Sequence, residues 1–269
     1  MDCVAIIPAR FASTRFPGKL LAALAGKPLI QHVVEAAGRI DGIDAIVVAT
    51  DDERIAAAAR EAGAAVVVSD VEFASGTDRV AAAAARHPTE IIVNIQGDEL
   101  VLDPGAVAAA LAGFREDGIG LGTVRAPLAE PEHLWDPNVV KVVVDAAGRA
   151  LYFSRAPLPF PRPAWLQAGE EPADRGAGES WRRLAASAAR PANAWAHVGI
   201  YFYRPEALRR WAALPPSALE QAEGLEQLRV LEAGETMQTY LIDEAIPGVN
   251  TPEDLERAHA ALAARASHA

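Results

Sequence analysis

The sequence predicts an α/β fold, a mixed, mostly parallel sheet flanked by helices, with a smaller β-rich lobe. Three observations lead there. Short apolar runs alternate with helix-spaced segments as far as residue 118. Connections of that length between strands impose right-handed crossovers and parallel pairing. Beyond residue 118, strand-like runs follow one another with a hairpin signal between two of them, and no linker-like stretch divides the chain into independent halves.

The elements follow in order. Residues 3–7 are an apolar run closed by Pro8, which reads as a buried strand. Residues 28–40 have helical spacing, with Leu29, Val33 and Ala37 on one face. Residues 45–49 form a second strand, and 51–62 a helix with Asp51 or Asp52 as N-cap. A third strand covers 64–68, a helix 77–86 and a fourth strand 91–95. Residues 121–127, 139–144 and 150–154 are strand-like, and Asp145-Ala-Ala-Gly148 is a hairpin turn. Residues 157–193, rich in Pro, Gly, Ala and charge, read as a surface insertion with one helix over 179–189. An aromatic strand at 197–203, helices at 205–214 and 219–233, and a strand at 237–242 follow. A helix over 252–265 closes the chain, with Thr251 as N-cap and Asp254 three residues on, a capping-box-like pair.

Composition narrows the function. The chain has 269 residues, 51% hydrophobic and 23% charged, enough for a full core and against disorder. Lys and Arg number 25 against 36 Asp and Glu, a net charge of −11. A general nucleic-acid or anionic-membrane binder needs a basic face and is excluded. The lone Cys3 cannot form an internal disulfide and reads as a core residue. No Cys/His cluster has zinc spacing, no apolar stretch approaches the roughly 20 residues a bilayer requires, and the N-terminus lacks a signal peptide's basic start. The expectation is a soluble cytoplasmic protein.

In open α/β sheets, ligands bind beyond the carboxyl ends of the strands. After the first strand comes Pro8-Ala-Arg-Phe-Ala-Ser-Thr-Arg-Phe-Pro-Gly-Lys19. It sets the cations Arg10, Arg15 and Lys19 beside the hydroxyls of Ser13 and Thr14, which suits a triphosphate, although it is neither a Walker A nor a GxGxxG pattern. After the third strand, Ser75-Gly-Thr-Asp-Arg79 offers either close backbone approach to a planar ligand or a plain N-cap at Thr77. After the fourth, Gln96-Gly-Asp-Glu99 puts a carboxylate across from the cationic loop, as Mg²⁺ shared with phosphates requires; a turn aspartate is the alternative.

The first loop resembles the signature loop of sugar-acid cytidylyltransferases. Six further stretches narrow the likeness: Ser75-Gly-Thr-Asp-Arg79, Val93-Asn-Ile-Gln-Gly-Asp-Glu99, Asp136-Pro-Asn-Val-Val-Lys-Val142, Ala150-Leu-Tyr-Phe-Ser-Arg155, His197-Val-Gly-Ile-Tyr201 and Leu225-Glu-Gln-Leu-Arg229. With Thr251-Pro-Glu-Asp-Leu255 they resemble the 3-deoxy-manno-octulosonate (Kdo) cytidylyltransferase, or CMP-Kdo synthetase, family of lipopolysaccharide synthesis, in order and over nearly the whole chain apart from 161–193.

The resemblance implies a nucleotide-diphospho-sugar-transferase-like, Rossmann-like single domain. Its nucleotide-binding part would cover about 1–118 and 236–269, and its sugar-acid and dimerisation lobe about 119–235. Arg10, Ser13, Arg15 and Lys19 would hold the CTP phosphates, with Ala9, Ser75, Gly76 and Gln96 near the nucleoside. Lys19, Asp98 and Arg15 would be the catalytic set, and Asp98 would ligate Mg²⁺. Arg155, His197, Glu226 and Gln227 would surround the sugar acid; independently, a guanidinium suits Kdo's carboxylate. The partners implied are CTP, Kdo and a second copy of the chain, with no nucleic acid and no membrane.

Two departures stand out. Asn250 occupies the position of a family metal-ligand Asp, keeping a carbonyl oxygen but removing a charge. Residues 161–193 look longer and differently composed than the family pattern. The expected reaction is in-line attack of the Kdo anomeric hydroxyl on the α-phosphorus of CTP. The alternatives are another acid, such as 8-amino-Kdo or a sialic-type acid, or a catalytically weak nucleotide-binding protein of this fold.

Overall fold

Strand β1 (Cys3–Ala9) is almost wholly buried because its alternate side chains enter different cores. Cys3, Ala5, Ile7 and Ala9 join one cluster, and Val4 and Ile6 the other. A strand covered on both faces reads as a continuous apolar run rather than an alternating one. A computed structural model describes residues 1–12, 16–100, 103–160, 162, 193–244 and 248–266.

β1 lies between β4 (Ala45–Thr50) and β6 (Ile91–Ile95), parallel to both, and β5 (Ala65–Val68) extends the sheet beyond β4. A two-stranded hairpin, β2 (Ala23–Leu24) and β3 (Lys27–Pro28), precedes the first helix. On the other side of β6, β10 (Trp195–Tyr203) runs antiparallel, followed by β7 (Leu121–Pro127) and β11 (Gln238–Leu241). The hairpin of β8 (Lys141–Val144) and β9 (Ala150–Ser154) pairs through β8 with Trp195 and Ala196, while β6 pairs with residues 200–203 of the same strand. The β-rich part therefore continues the same sheet, which has nine strands among the described residues.

Helices α1 (Leu29–Ala37), α2 (Glu53–Glu61) and α4 (Pro104–Asp117) contribute to the first core. Helix α3 (Gly76–Ala84), α5 (Pro205–Ala213) and α7 (Leu228–Glu232) contribute to the second, where Tyr203 and Trp211 are buried. The short α6 (Ala218–Glu223) has no buried residue, and α8 (Pro252–Ala266) ends the described chain. Among the described residues no helix is long and apolar enough to cross a membrane. Cys3 is fully buried, and burial pushes its thiol up to about 12, where it is unreactive.

Some expectations hold and others need correction. Asp52 caps α2, accepting from Arg54 N at 2.8 Å, whereas Asp51 faces elsewhere. Ser75, not Thr77, caps α3, its Oγ accepting from Asp78 N at 3.1 Å. The helix expected over 219–233 is two: Gly224, at φ 64°, closes α6 in the left-handed region, which a glycine adopts without steric cost. The break lets Leu228 and Val230 reach the core. Helix α4 was not anticipated; its alanine-rich stretch with Gly105 and Gly113 carries a weak apolar period, despite Asp103, Pro104 and Gly118 as clear start and stop signals. The C-terminal box holds, with Thr251 N donating to Asp254 Oδ2 at 2.8 Å and Asp254 N to Thr251 Oγ1 at 3.2 Å. The helix expected over 179–189 lies outside the described residues.

Candidate active site

β1 and β6 are neighbours, and the chain leaves them toward opposite edges of the sheet, so their carboxyl ends flank the crevice where α/β folds bind ligands. Gly97 brings these ends into backbone contact: a Cβ there would stand 2.9 Å from the Pro8 carbonyl oxygen. The loop after β1 is pinned at Phe11, whose N–H donates to Asp51 Oδ1 at 3.2 Å and whose carbonyl accepts from Gly18 N at 3.3 Å. Arg54 covers the Phe11 ring at 3.9 Å. Gly18, at φ 69°, then turns the chain so that Lys19 begins a short helical turn anchored by buried Leu20.

Lys19 Nζ donates to the Asp98 carboxylate, to the Val249 carbonyl at 3.1 Å and to Asn250 Oδ1 at 3.4 Å. Asn250 is held in place, its Nδ2 donating to Gly248 O at 3.0 Å and its backbone N–H to Asp254 Oδ2 at 2.9 Å. Thus the amide oxygen, not the nitrogen, faces Lys19 and Asp98. Burial, and then the Asp98 charge, push the neighbouring Glu99 carboxyl up to about 8; its Oε2 accepts from Gly199 N at 2.9 Å.

Two clefts meet here, sharing Gln96, Asp98 and Asn250. Ala9, Arg10, Lys19, Ser75, Gly76 and Glu226 line the first. His133, Asn138, His197 and Gly199 line the second. Of the residues singled out from sequence, the first cleft gathers the whole described nucleotide set. Ser13 and Arg15 lie outside the described residues.

The sugar-acid set is divided. Only His197 lines the second cleft. Glu226 lines the first, where its carboxylate accepts from Gly76 N and Thr77 N at 3.3 Å each and from Thr77 Oγ1 at 2.7 Å. Gln227 is buried and lines neither of these clefts. Arg155 also lines neither; it donates to the carbonyls of Glu223 at 2.9 Å and Pro137 at 2.8 Å. Buried Lys141 braces the same region, donating to the carbonyls of Asp136, Val139 and Arg155 at 2.7–2.8 Å.

Sequence reasoning passed over Arg79 and Glu99, although both stood in motifs it quoted. An arginine one turn inside a helix folds back over the helix start. Arg79 does so, lining the first cleft and donating to Asp51 at 2.9 Å.

His197 packs, half-buried, against Phe153 and Tyr201. Thr123 Oγ1 donates to Ile200 O at 2.8 Å and so accepts from His197 Nε2 at 2.9 Å, leaving Nδ1 unprotonated. Burial holds the imidazole down at about 3 against an ordinary 6.5. The unfolded chain takes up this proton below 6.5 and the folded chain does not. Its contribution to stability is therefore full above that pH and falls as pH drops toward 3. Urea denaturation across this window should show His197→Asn less acid-sensitive than the wild type; an equal slope in both contradicts the assignment.

Every oxygen donor around Lys19, the Asp98 carboxylate, Asn250 Oδ1 and the Val249 carbonyl, suits a hard divalent cation. Among the described residues no trio of His, Cys, Asp and Glu could hold a metal alone. Such a cation would draw further ligands from phosphate and water, as Mg²⁺ does.

A cationic loop and a carboxylate at adjoining strand ends, between two clefts, define a nucleotidyltransferase. The chain belongs to the cytidylyltransferase family, whose model matches residues 4–237. Within it, the chain is 45% identical over 258 residues to the 3-deoxy-manno-octulosonate cytidylyltransferase of Geobacter sulfurreducens, covering 96% of this chain and 98% of the relative. It is 48% identical over 264 residues to the Anaeromyxobacter dehalogenans protein of the same name, covering 97% and 98%. The solved structure of CMP:2-keto-3-deoxy-manno-octonic acid synthetase complexed with CTP superposes with a TM-score of 0.81 at 36% identity, covering 98% of this chain and all of that one.

Proposed function

We propose that this protein transfers CMP from CTP to the anomeric hydroxyl of Kdo, giving CMP-Kdo and pyrophosphate. The observation that carries the reading is the convergence of Lys19, Asp98 and Asn250 where the two clefts join, together with near full-length similarity to Kdo cytidylyltransferases. CTP occupies the first cleft and the sugar acid the second, so the two reacting centres meet beside Asp98. The hydroxyl oxygen bonds to the α-phosphorus as the bond to the bridging oxygen breaks. Pyrophosphate leaves with the electron pair, and the hydroxyl proton passes to solvent.

Such a transfer depends on positioning and charge stabilisation more than on covalent help from the protein. Arg10, Ser13, Arg15 and Lys19 bind the phosphates, and Lys19 and Arg15 neutralise charge growing on pyrophosphate. Ala9, Ser75, Gly76 and Gln96 hold the nucleoside. Asp98 and Asn250 would hold Mg²⁺, which supplies charge neutralisation at the α-phosphate. His197 faces the sugar acid. Arg155 and Gln227 support that side from behind, and Glu226 organises the start of α3. The reading carries a cytoplasmic homodimer, and sedimentation at twice the chain mass tests the dimer.

The test is pyrophosphate release from CTP plus Kdo, titrated with Mg²⁺, for the wild type and Asn250→Asp. Release is expected in both, with half-maximal Mg²⁺ lower in the variant because a second carboxylate adds attraction for the cation. Release with 8-amino-Kdo or a sialic-type acid but not Kdo moves the specificity. CTP binding without release from any acid leaves a nucleotide-binding protein.

A further inference from the structure

A sugar acid in the second cleft brings a carboxylate to a place already lined by Asp98 and Glu99, and among the described residues no lysine or arginine lines that cleft. One of its walls is the loop before β8, through Asn138, Val139 and Val140. Two cations behind this wall hold it by its carbonyl oxygens. Lys141 Nζ donates to the Asp136 carbonyl at 2.8 Å, to the Val139 carbonyl at 2.7 Å and to the Arg155 carbonyl, just past β9, at 2.7 Å. Arg155 Nη1 donates to the Pro137 carbonyl at 2.8 Å. Lys141 is fully buried, and its three protons are all spent on carbonyl oxygens. Among the described residues no carboxylate is paired with it, so its charge is not cancelled by an ion partner. A buried charge is screened by salt and water far less than an exposed one.

We propose that Lys141 supplies the positive potential that draws the sugar acid's carboxylate into the second cleft, acting through the 136–140 loop without touching the ligand. The inference rests on the placing of the sugar acid in that cleft under the functional reading above. It makes Lys141 a positioning residue with two effects that separate. As a brace, it fixes the cleft's shape for any ligand. As a charge, it favours an anion over an uncharged molecule of the same shape. The charge can also be switched off. Burial pushes the ammonium down to about 8, with Asp136 and Glu223 acting against that shift and Arg155 with it. The strand partners of Lys141 do not ionise: they are Ser154 on β9 and Ala196 on β10, and His197 beside Ala196 stays neutral. The attraction is therefore full below pH 8 and fades as pH rises through it.

Steady-state pyrophosphate release on either side of pH 8 tests this in the wild type and in Lys141→Gln, which keeps two donors for the carbonyls but no charge. The C1 amide of Kdo, an uncharged competitor, reports the cleft's shape alone. In the wild type, KM for Kdo should rise about tenfold above pH 8, the order of effect expected of one poorly screened charge. KM for CTP and inhibition by the amide should stay level. Lys141→Gln should show the high KM for Kdo on both sides of pH 8, with kcat and amide inhibition within about threefold of the wild type, the pattern of lost ground-state binding. A wild-type KM for Kdo that is flat across pH 8 overturns the proposal whether or not the variant folds. Amide inhibition that weakens in step with Kdo also overturns it, because Lys141 is then a brace and nothing more. So does a Lys141→Gln enzyme whose KM for Kdo still climbs above pH 8. A wild type that releases no pyrophosphate with Kdo overturns the functional reading itself; one that does so, with any of the contrary results above, overturns only this inference.

Discussion

Lys19→Met is expected to lower pyrophosphate release by about 10²–10³-fold, the usual loss when one charge-stabilising donor is removed from a reaction centre. The ammonium is only 15% exposed and bonds to Asp98, Val249 and Asn250 together. Arg10 and Arg79 line the same cleft, but it is Lys19 that bonds to Asp98 and Asn250. Without it Asp98 keeps its carboxylate but loses its ion partner, so both phosphate binding and the placement of Asp98 suffer. Lys19→Arg should not restore the rate, because a planar guanidinium does not fit a slot built around a compact ammonium. Steady-state rates for the two variants check this, and a Lys19→Met enzyme within tenfold of the wild type contradicts the site.

Gly97→Ala is expected to combine a loss of stability with a larger loss of activity. The new methyl would stand 2.9 Å from the Pro8 carbonyl oxygen and 3.3 Å from Leu20 Cδ1. Neither yields easily, since Pro8 is paired within the sheet and Leu20 is buried. The end of β6 must move, and Asp98, the next residue, moves with it. Overpacking of this kind costs about 1–3 kcal/mol, a melting shift of several degrees. A rate loss beyond about a hundredfold would follow if about 1 Å of displacement is enough to spoil the geometry. Gly38→Ala is the control: Gly38 has φ −68° and its nearest contact would be 3.5 Å, so the melting temperature should hold or rise slightly. Equal melting and equal rates for Gly97→Ala and wild type would show that the strand ends are not in fixed contact.

Strand order could be anticipated only in part. The apolar runs of β1, β4 and β6 were legible because a strand covered on both faces leaves little room for polar residues. The reversal at β10 was not, since pairing direction depends on which edge the chain returns to. Helix α4 escaped because alanine and glycine blur the apolar period, and the break at Gly224 because one glycine within a helical pattern is ambiguous until its φ is known.

The same division holds at the site. The chemistry was legible in the linear chain: cations and hydroxyls after the first strand, a carboxylate after the fourth, and an amide at Asn250. These groups are written in short local motifs, and residue type alone fixes what each can donate, accept or charge. Which groups meet depends on the folded chain. Asp51 and Asp52 are adjacent in sequence, yet one caps a helix while the other joins Phe11 to Arg79. The resemblance puts Glu226 and Gln227 together at the sugar acid, but the backbone turn there sends one carboxylate to the start of α3 and buries its neighbour. A side chain's partner is set by directions accumulated over long stretches of chain, and a linear motif does not contain them.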